Sequence, residues 1–260
     1  MNKKEFLASV PYEDKVVLSS IYDKITLCTR IKKSLYLNEF YPPSIWKPLK
    51  NINNLLDCNI SNFGIFEESD RRAISILVED EIEDLNEYPI ELIRINNKSS
   101  FSNLVHSDFL GALMSLGIKR EKFGDLIVEN QSCYVPVCSE ISHYVKENLI
   151  KIGKSPCIVD ILDINESIIP QYKFEEKDII ATSMRADCVI SALCNISRSA
   201  CVDIINKGKV LVDYQKINNK DYCINEEAII TVRGYGKFRV LEKMGKTKRE
   251  RCKIKVKKYI

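Results

Sequence analysis

Apolar residues recur at helical spacing through the first part of the chain. Residues 16–31 follow this period, and Tyr41-Pro42-Pro43 forces a break before a second helical stretch at 44–58. We therefore predict a helical N-terminal region over residues 1–70. Trp46 lies near the break, and we expect it to pack the corner between helices, although an aromatic binding surface is the alternative.

The period changes in the middle of the chain. From residue 90 the pattern predicts the order strand, helix, strand, strand, helix, strand, with the second helix at 141–152. This order is the split βαβ of ferredoxin-like domains, which RNA-recognition modules share. We predict a ferredoxin-like, RRM-like domain over residues 71–165. The aromatic signature of RNA-recognition motifs is absent and only Tyr134 lies near its place, which argues against base stacking on this sheet.

The last third of the chain predicts two short helices packed on a small sheet. Residues 164–180, among them Glu166, show no clear period and are predicted to be a linker. Apolar residues at 186–194 share one helical face, and Ser197 suits the cap of a second helix that ends near Gly208. Near the end, Lys253, Lys255 and Lys257 alternate with apolar residues, as in a strand with one charged face. The predicted fold class is α+β.

Composition and cysteine spacing narrow the class of protein. Apolar residues make up 45% of the 260 residues and charged residues 29%, which is typical of a globular chain with a real core. No apolar run approaches the roughly 18 residues of a membrane span, so we expect a cytoplasmic protein with no membrane partner. The ten cysteines form no Cys-x-x-Cys pair, and His106 and His143 stand alone. We expect reduced core cysteines, no metal and no cofactor.

Charge is divided unequally along the chain. Residues 181–260 contain 18 Lys and Arg against 8 Asp and Glu, a net charge of +10, which leaves −7 for residues 1–180. Such asymmetry indicates an anionic partner for the basic end. A membrane surface or simple solvation would also suit a basic tail, but the strand pattern of its lysines favours nucleic acid.

Five separated elements of this basic end resemble the S4 RNA-binding domain of a ribosomal protein, tyrosyl-tRNA synthetases and pseudouridine synthases. They are Arg185-Ala186-Asp187, Ser197-Arg198-Ser199, Ile205-x-x-Gly208, Val210-x-Val212 and Val232-Arg233-Gly234. Ala186 departs from the usual leucine, and Asp213-Tyr214 departs from an Asn-Gly-like turn. The resemblance implies an S4 domain with a basic C-terminal extension over residues 181–260.

Further motifs resemble the bacterial YlmH-type S4 proteins. These motifs are His106-x-Asp108-Phe109-Leu110-Gly111, Leu116-Gly117-Ile118-Lys119-Arg120, Gly124-Asp125-Leu126-Ile127-Val128, Arg233-Gly234-Tyr235-Gly236-Lys237 and Gly245-Lys246-Thr247-Lys248. Phe63-Gly64-Ile65-Phe66 stands where a Gly-Gly-Tyr-like motif is expected. The family implies binding to structured RNA (rRNA and tRNA) on the large ribosomal subunit, a link to stalled translation, and sometimes a link to cell division.

Arginine and lysine side chains on this basic end are the candidate RNA contacts, because guanidinium groups bind phosphates bidentately. The helix start at Ser197 adds backbone N–H groups for an anion. Asp187 would repel phosphate, so we expect it to cap its helix or to orient Arg185. The candidate RNA-binding residues are Arg185, Arg198, Ser199, Lys207, Lys209, Arg233, Tyr235, Lys237, Arg239, Lys119 and Arg120.

The leading hypothesis is a monomeric, non-catalytic RNA-binding factor of the ribosome. An RNA-modifying or tRNA-charging enzyme with an S4 anchor is the first alternative, and a cell-division-linked adaptor is the second. Lys243-Met244-Gly245-Lys246-Thr247 is similar to the lysine loop of class I synthetases, but their His-x-Gly-His motif is missing. A P-loop would need glycine where Val240 stands. We therefore expect no enzymatic activity.

Overall fold

The chain folds into two compact units of mixed helix and sheet, residues 1–171 and 172–260. The structure is a computed structural model that describes residues 1–165 and 167–260, so Glu166 of the predicted linker lies outside the described residues. The predicted α+β fold class is confirmed.

Within the described residues, no single helix is long and apolar enough to cross a membrane. One bent pair, 186–194 with 198–206, passes that test of length and composition only as a pair, with an angle of 108° at the break. The core helices of soluble domains also pass this test, and the first helix of the pair is mostly buried.

The first part of unit 1 combines three helices with a three-stranded antiparallel sheet. Its elements are α1 (Lys3–Ser9), α2 (Lys15–Ile31), β1 (Leu35–Tyr41), α3 (Pro43–Asn51), β2 (Asn59–Phe63) and β3 (Arg72–Leu77). The sheet order is β1-β3-β2. Asp14 caps α2 by accepting hydrogen bonds from the N–H groups of Val16 (2.9 Å) and Val17 (3.3 Å). Pro43 occupies the first turn of α3, where a missing N–H costs little.

The prediction of a helical N-terminal region over residues 1–70 is wrong in part, because β1 and β2 lie within it beside the three helices. Both strands are short and depend on β3, which buries five of its six residues between them. The predicted helix at 44–58 ends at Asn51 and is followed by a short 3-10 helix at Asn53–Leu55, after which β2 begins at Asn59. Trp46 is half-buried against the core of this part, but it contacts the start of β3 and not a corner between helices: its Nε1 donates to the Asp70 carbonyl at 2.8 Å and the Arg72 guanidinium lies 4.9 Å from its ring centroid.

The second part of unit 1 is a five-stranded antiparallel sheet with two helices. Its elements are β4 (Ile90–Asn97), α4 (His106–Met114), β5 (Ile127–Glu129), β6 (Ser132–Cys138), α5 (Ser139–Asn148), β7 (Lys151–Ile152) and β8 (Ser155–Leu162), with the sheet order β5-β6-β4-β8-β7. The predicted helix at 141–152 is wrong at its end. Ile152 instead pairs with Ser155 in the β7–β8 hairpin, where the left-handed Gly153 turns the chain.

Unit 2 packs two helices on one face of a six-stranded antiparallel sheet. Its elements are β9 (Phe174–Ala181), α6 (Ala186–Cys194), α7 (Arg198–Asn206), β10 (Val210–Val212), β11 (Gln215–Lys216), β12 (Ile229–Val232), β13 (Gly236–Lys246) and β14 (Cys252–Tyr259), with the sheet order β11-β10-β12-β13-β14-β9. As the alternation predicts, β14 buries Cys252, Ile254 and Val256. Asp213 and Tyr214 both adopt positive φ, 46° and 69°, and form the tight β10–β11 turn.

The prediction of a linker over residues 164–180 is wrong from Phe174 onward, because β9 occupies that part and pairs along its whole length with β14. Residues 175–178 are all charged, so the segment carries little apolar alternation. Its strand conformation comes from hydrogen bonds to a partner about 80 residues later in the chain.

Candidate nucleic-acid interface

The helix starts of unit 2 place two predicted contact residues side by side. Arg185 is the N-cap residue of α6, and Arg198 is the first residue of α7. The N–H groups of Ala186 and Asp187 donate to the carbonyls of Tyr222 (2.8 Å) and Lys220 (3.1 Å), which fixes the start of α6. Ser197 caps α7 as predicted, since its Oγ accepts from the Ala200 N–H at 3.2 Å.

A buried carboxylate holds both arginines. Asp187 is 2% exposed. Its Oδ1 accepts from Arg185 Nε at 3.1 Å, and its Oδ2 accepts from Arg185 Nη2 at 3.3 Å and from Arg198 Nε at 3.1 Å. Arg198 Nη2 donates to the same Oδ2, and Arg185 also pairs with Asp221. We call Arg185, Asp187 and Arg198 the arginine clamp.

The protonation state of the clamp follows from these contacts. Burial alone would raise the pKa of Asp187, but the hydrogen bonds from Arg198 and Arg185 lower it to about 2. The same hydrogen bonds raise the pKa of both guanidinium groups. The side chains of Arg185 and Arg198 remain 41% and 54% exposed, so both cations reach solvent with fixed orientation. Such a pair suits bidentate binding of phosphate oxygens.

Ser199 lies beside the clamp, and four other candidates gather at the far end of α7. The Ser199 hydroxyl is 3.0 Å from the Ser197 hydroxyl. Lys207 is the C-cap residue of α7, and the Lys209 carbonyl accepts the Arg233 N–H at 2.9 Å. Lys207, Lys209, Arg233 and Tyr235 are all exposed. A nine-residue helix spans about 13 Å, so this second group lies roughly that far from the clamp.

Gly208 determines the direction of the backbone between Lys207 and Lys209. Its φ is +63°, and a Cβ built there would lie 2.0 Å from Lys216 Cε. A side chain at this position would therefore strain the backbone and displace Lys216.

Lys237 and Arg239 lie on the other face of the sheet. Phe238 and Val240 point into the helix-covered core, so their neighbours along β13 project from the helix-free face. Lys237 Nζ is 3.1 Å from the Tyr214 hydroxyl and 4.4 Å from the Tyr259 ring centroid. On the same face, Lys253 pairs with Asp178 (3.1 Å) and Lys255 with Glu176 (3.3 Å). Acidic residues of β9 therefore offset part of the charge of β14.

The basic loop of unit 1 is engaged in its own structure. Arg120 Nη1 donates to the Phe123 carbonyl at 2.6 Å. Lys122 donates to the Asn38 carbonyl at 2.7 Å and pairs with Glu140 at 2.8 Å, leaving its side chain 20% exposed. Burial would lower the pKa of Lys122, but the Glu140 contact raises it. Lys119 is exposed, so it is the member of this loop most accessible to RNA.

Eight of the ten cysteines are buried in the core, whereas Cys194 is half-buried and Cys223 is exposed. All ten are free, and Cys188 and Cys201 are buried in unit 2. Burial raises the pKa of Cys201 to about 11, so its thiol stays protonated at neutral pH. Among the residues that the structure describes, no group of three or more His, Cys, Asp or Glu is placed to hold a metal ion.

The sequence did not indicate two features of the surface. Asp221, the second partner of Arg185, lies in an irregular segment without a periodic signal. Phe101 is fully exposed in the loop between β4 and α4. A lone aromatic residue in Ser99-Ser100-Phe101-Ser102 is the signal that could have indicated it. Tyr134, by contrast, is half-buried and paired with Arg94 across the sheet.

One part of the chain matches a known protein family. Residues 83–166, which carry β4 to β8, match the family model described as "Putative RNA-binding domain in YlmH". Residues 83–166 are therefore similar to a domain that this family model describes as RNA-binding.

Two known proteins are similar to a larger part of the chain. The chain is 23% identical over 218 residues to "Ribosome-associated protein quality control protein P2" of Bacillus subtilis, covering 84% of this chain and 85% of the relative. A solved structure, "Cell division protein ylmH from Streptococcus pneumoniae", shares its fold with a TM-score of 0.50 and 22% identity, over 60% of this chain and 94% of that one. The chain is a homologue of the YlmH-type proteins, and the resemblance drawn from its motifs is confirmed.

Proposed function

We propose that this protein is a non-catalytic factor that binds structured RNA, rRNA and also tRNA, on the large ribosomal subunit. The observation that carries the proposal is the arginine clamp, in which one buried carboxylate orients two solvent-accessible guanidinium groups at adjacent helix starts. Fixed guanidinium pairs suit the phosphate and shape recognition of folded RNA. The ribosome-associated relative supports a role in quality control of stalled translation, hence in the cytoplasm.

The proposed domain roles follow the two units. We assign unit 2 to an S4-type domain, supported by two helices on a sheet and by the motif positions at the starts of α6 and α7. We assign β4 to β8 to a ferredoxin-like domain, supported by the antiparallel order β5-β6-β4-β8-β7. In this proposal the S4-type unit supplies most of the affinity as a monomer, and the ferredoxin-like part adds selectivity.

The test is co-sedimentation of the full chain with purified large ribosomal subunits at two salt concentrations. The wild-type protein should pellet with the subunits, and the double variant R185E/R198E should not at the higher salt, since its reversed charges repel phosphates instead of binding them. Lys3→Glu is the matched control, because Lys3 pairs with Asp23 on the surface of unit 1. Equal pelleting of all three proteins would refute the clamp as the anchor.

The proposal that the protein is not an enzyme has its own test. Purified protein incubated with rRNA, tRNA and ATP should yield no modified base and no aminoacylated product. A reproducible product that disappears in Asp108→Asn would overturn it. Asp108 instead serves the helix start, since its Oδ2 accepts the Val105 N–H at 2.8 Å.

A further inference from the structure

The loop between β4 and α4, residues 98–105, displays an aromatic ring to solvent. Phe101 is 99% exposed, although phenylalanine is among the residues that gain most from burial. Its neighbours along the loop are serines and Asn103. This ring therefore contributes nothing to the core of unit 1.

The loop is held in place by hydrogen bonds on both sides of Phe101. Asn97 Nδ2 donates to the Ser102 carbonyl (3.2 Å) and hydroxyl (3.0 Å), and Asn97 Oδ1 accepts the Ser99 N–H at 3.0 Å. Ser155 Oγ donates to Ser102 Oγ at 2.8 Å. The loop backbone is thus anchored to the ends of β4 and β8 on both sides of Phe101, which lowers the cost of ordering the backbone on binding.

Lysines surround the anchor points of this loop. The Lys98 N–H donates to the Pro156 carbonyl at 2.9 Å, and Lys154 directly precedes Ser155. Lys151 pairs with Pro156 across the β7–β8 hairpin. All three lysines are exposed. An exposed ring flanked by cations and small polar residues matches a nucleobase with its neighbouring phosphates better than an apolar peptide.

We propose that Phe101 stacks on an unpaired base of RNA while Lys98 and Lys154 contact the flanking phosphates. This inference rests on the proposed function and adds to it a second contact, separate from the arginine clamp. Every base has a π-face, so the site takes unpaired RNA with little sequence preference. In this proposal, the stacking residue of the part that matches the family model, residues 83–166, lies on a loop and not on the sheet.

The experiment uses the full chain and two probes. One is an unstructured RNA of about eight nucleotides with a central 2-aminopurine. The other is a folded rRNA hairpin whose loop is replaced by a non-nucleotide linker, so that it has no unpaired base. The wild-type protein should quench 2-aminopurine. Phe101→Ala should abolish the quenching and weaken binding of the short RNA about tenfold, whereas Phe101→Trp should retain both.

Ile82→Ala is the matched control, since Ile82 is 89% exposed in the same unit and should be dispensable. Neither truncation should change the melting temperature. Lys98→Glu with Lys154→Glu should flatten the salt dependence of short-RNA binding by about 0.7 per phosphate contact.

The two proposals fail separately. If Phe101→Ala binds and quenches the short RNA like wild type, while Arg198→Glu weakens hairpin binding, the stacking site is wrong and the proposed function stands. If Arg198→Glu leaves hairpin binding unchanged while Phe101→Ala loses the short RNA, the clamp is wrong and the stacking site stands. If Phe101→Ala loses only large-subunit binding and keeps the short RNA, the loop contacts ribosomal protein and the stacking proposal is overturned.

Discussion

Replacing Asp187 by asparagine tests the arginine clamp, because charge and geometry predict opposite results. The change removes one negative charge beside the proposed phosphate site, which by charge alone should tighten RNA binding. It also removes the acceptor that orients Arg185 and Arg198 and turns one carboxylate oxygen into an N–H₂ donor facing a guanidinium. If orientation matters more than charge, Asp187→Asn weakens RNA binding.

The expected loss of stability follows from the contacts and from the pKa. Hydrogen bonds to a charged group contribute about 1.5–3 kcal/mol. The pKa of Asp187 falls from 3.8 to about 2 on folding, which corresponds to roughly 2 kcal/mol because one pKa unit equals about 1.4 kcal/mol. Both arginines can be rehydrated, so the roughly 3–5 kcal/mol for breaking a fully buried ion pair is an upper bound. A loss of about 2 kcal/mol should lower the melting temperature of unit 2 by on the order of 10 °C.

The expected loss of affinity comes from ordering the freed arginines again. Immobilising a long side chain costs about 0.5–1.5 kcal/mol, so two arginines together should weaken binding about tenfold. Filter binding to a folded rRNA fragment and thermal melting measure the two effects. The matched control is Asp203→Asn, which removes an exposed carboxylate from the same helix pair and should not weaken binding. An Asp187→Asn protein that binds as tightly as wild type and melts at the same temperature would refute the clamp.

Three further predictions concern unit 2: the effect of reversing the charge of Arg198, the effect of removing β9, and the loss of stability at acid pH. Arg198→Glu should weaken rRNA binding and reduce the log–log salt slope by about 0.7–0.9 for each phosphate that the protein no longer neutralises, while Lys3→Glu should change neither in the same titration. Residues 172–260 expressed alone should fold and bind structured RNA, but with less selectivity than the full chain. Residues 181–260 lack β9 and should therefore melt at a much lower temperature than residues 172–260; equal melting curves would contradict this. The pKa of Asp187 is lowered on folding, so its contribution to the stability of unit 2 is present above about pH 4 and is lost as the pH falls toward 2. In an acid-unfolding titration, the stability of Asp187→Asn should therefore lack the part that wild type loses over this pH range.

Periodicity predicted the elements whose own side chains decide their structure. α2, α6 and α7 lie where the apolar spacing places them, and β14 alternates as its lysines indicate. Segments that depend on a distant partner were not predictable in this way. Half of the residues of β9 are charged, and it is a strand only because β14 pairs with it, while β1 and β2 depend on β3.

The candidate site likewise has features that the sequence could predict and features that it could not. The motif positions indicated Arg185, Arg198 and an orienting role for Asp187, all within 14 residues. The structure adds that one carboxylate serves both arginines, and that Lys237 and Arg239 project from the opposite face of the sheet. Which face these two residues occupy depends on how β13 is aligned with β12, where Lys237 pairs with Thr231 and Arg239 with Ile229, and the sequence motif does not show that alignment. The conformation of the loop that carries Phe101 depends on hydrogen bonds to the ends of β4 and β8 and has no periodic signature.

The pairing of β9 with β14 also has a consequence for folding order. In unit 2 the first strand to be synthesised, β9, has the last strand, β14, as its one strand neighbour in the described sheet, and Phe174 pairs with Tyr259 across 85 positions of the chain. Closing a loop of this length carries an entropic cost before any contact is gained, and non-local pairing slows folding. During translation β9 has no partner until residues 252–259 leave the exit tunnel. A nascent chain interrupted before that point would expose the edges of both β9 and β13, the kind of surface that promotes aggregation.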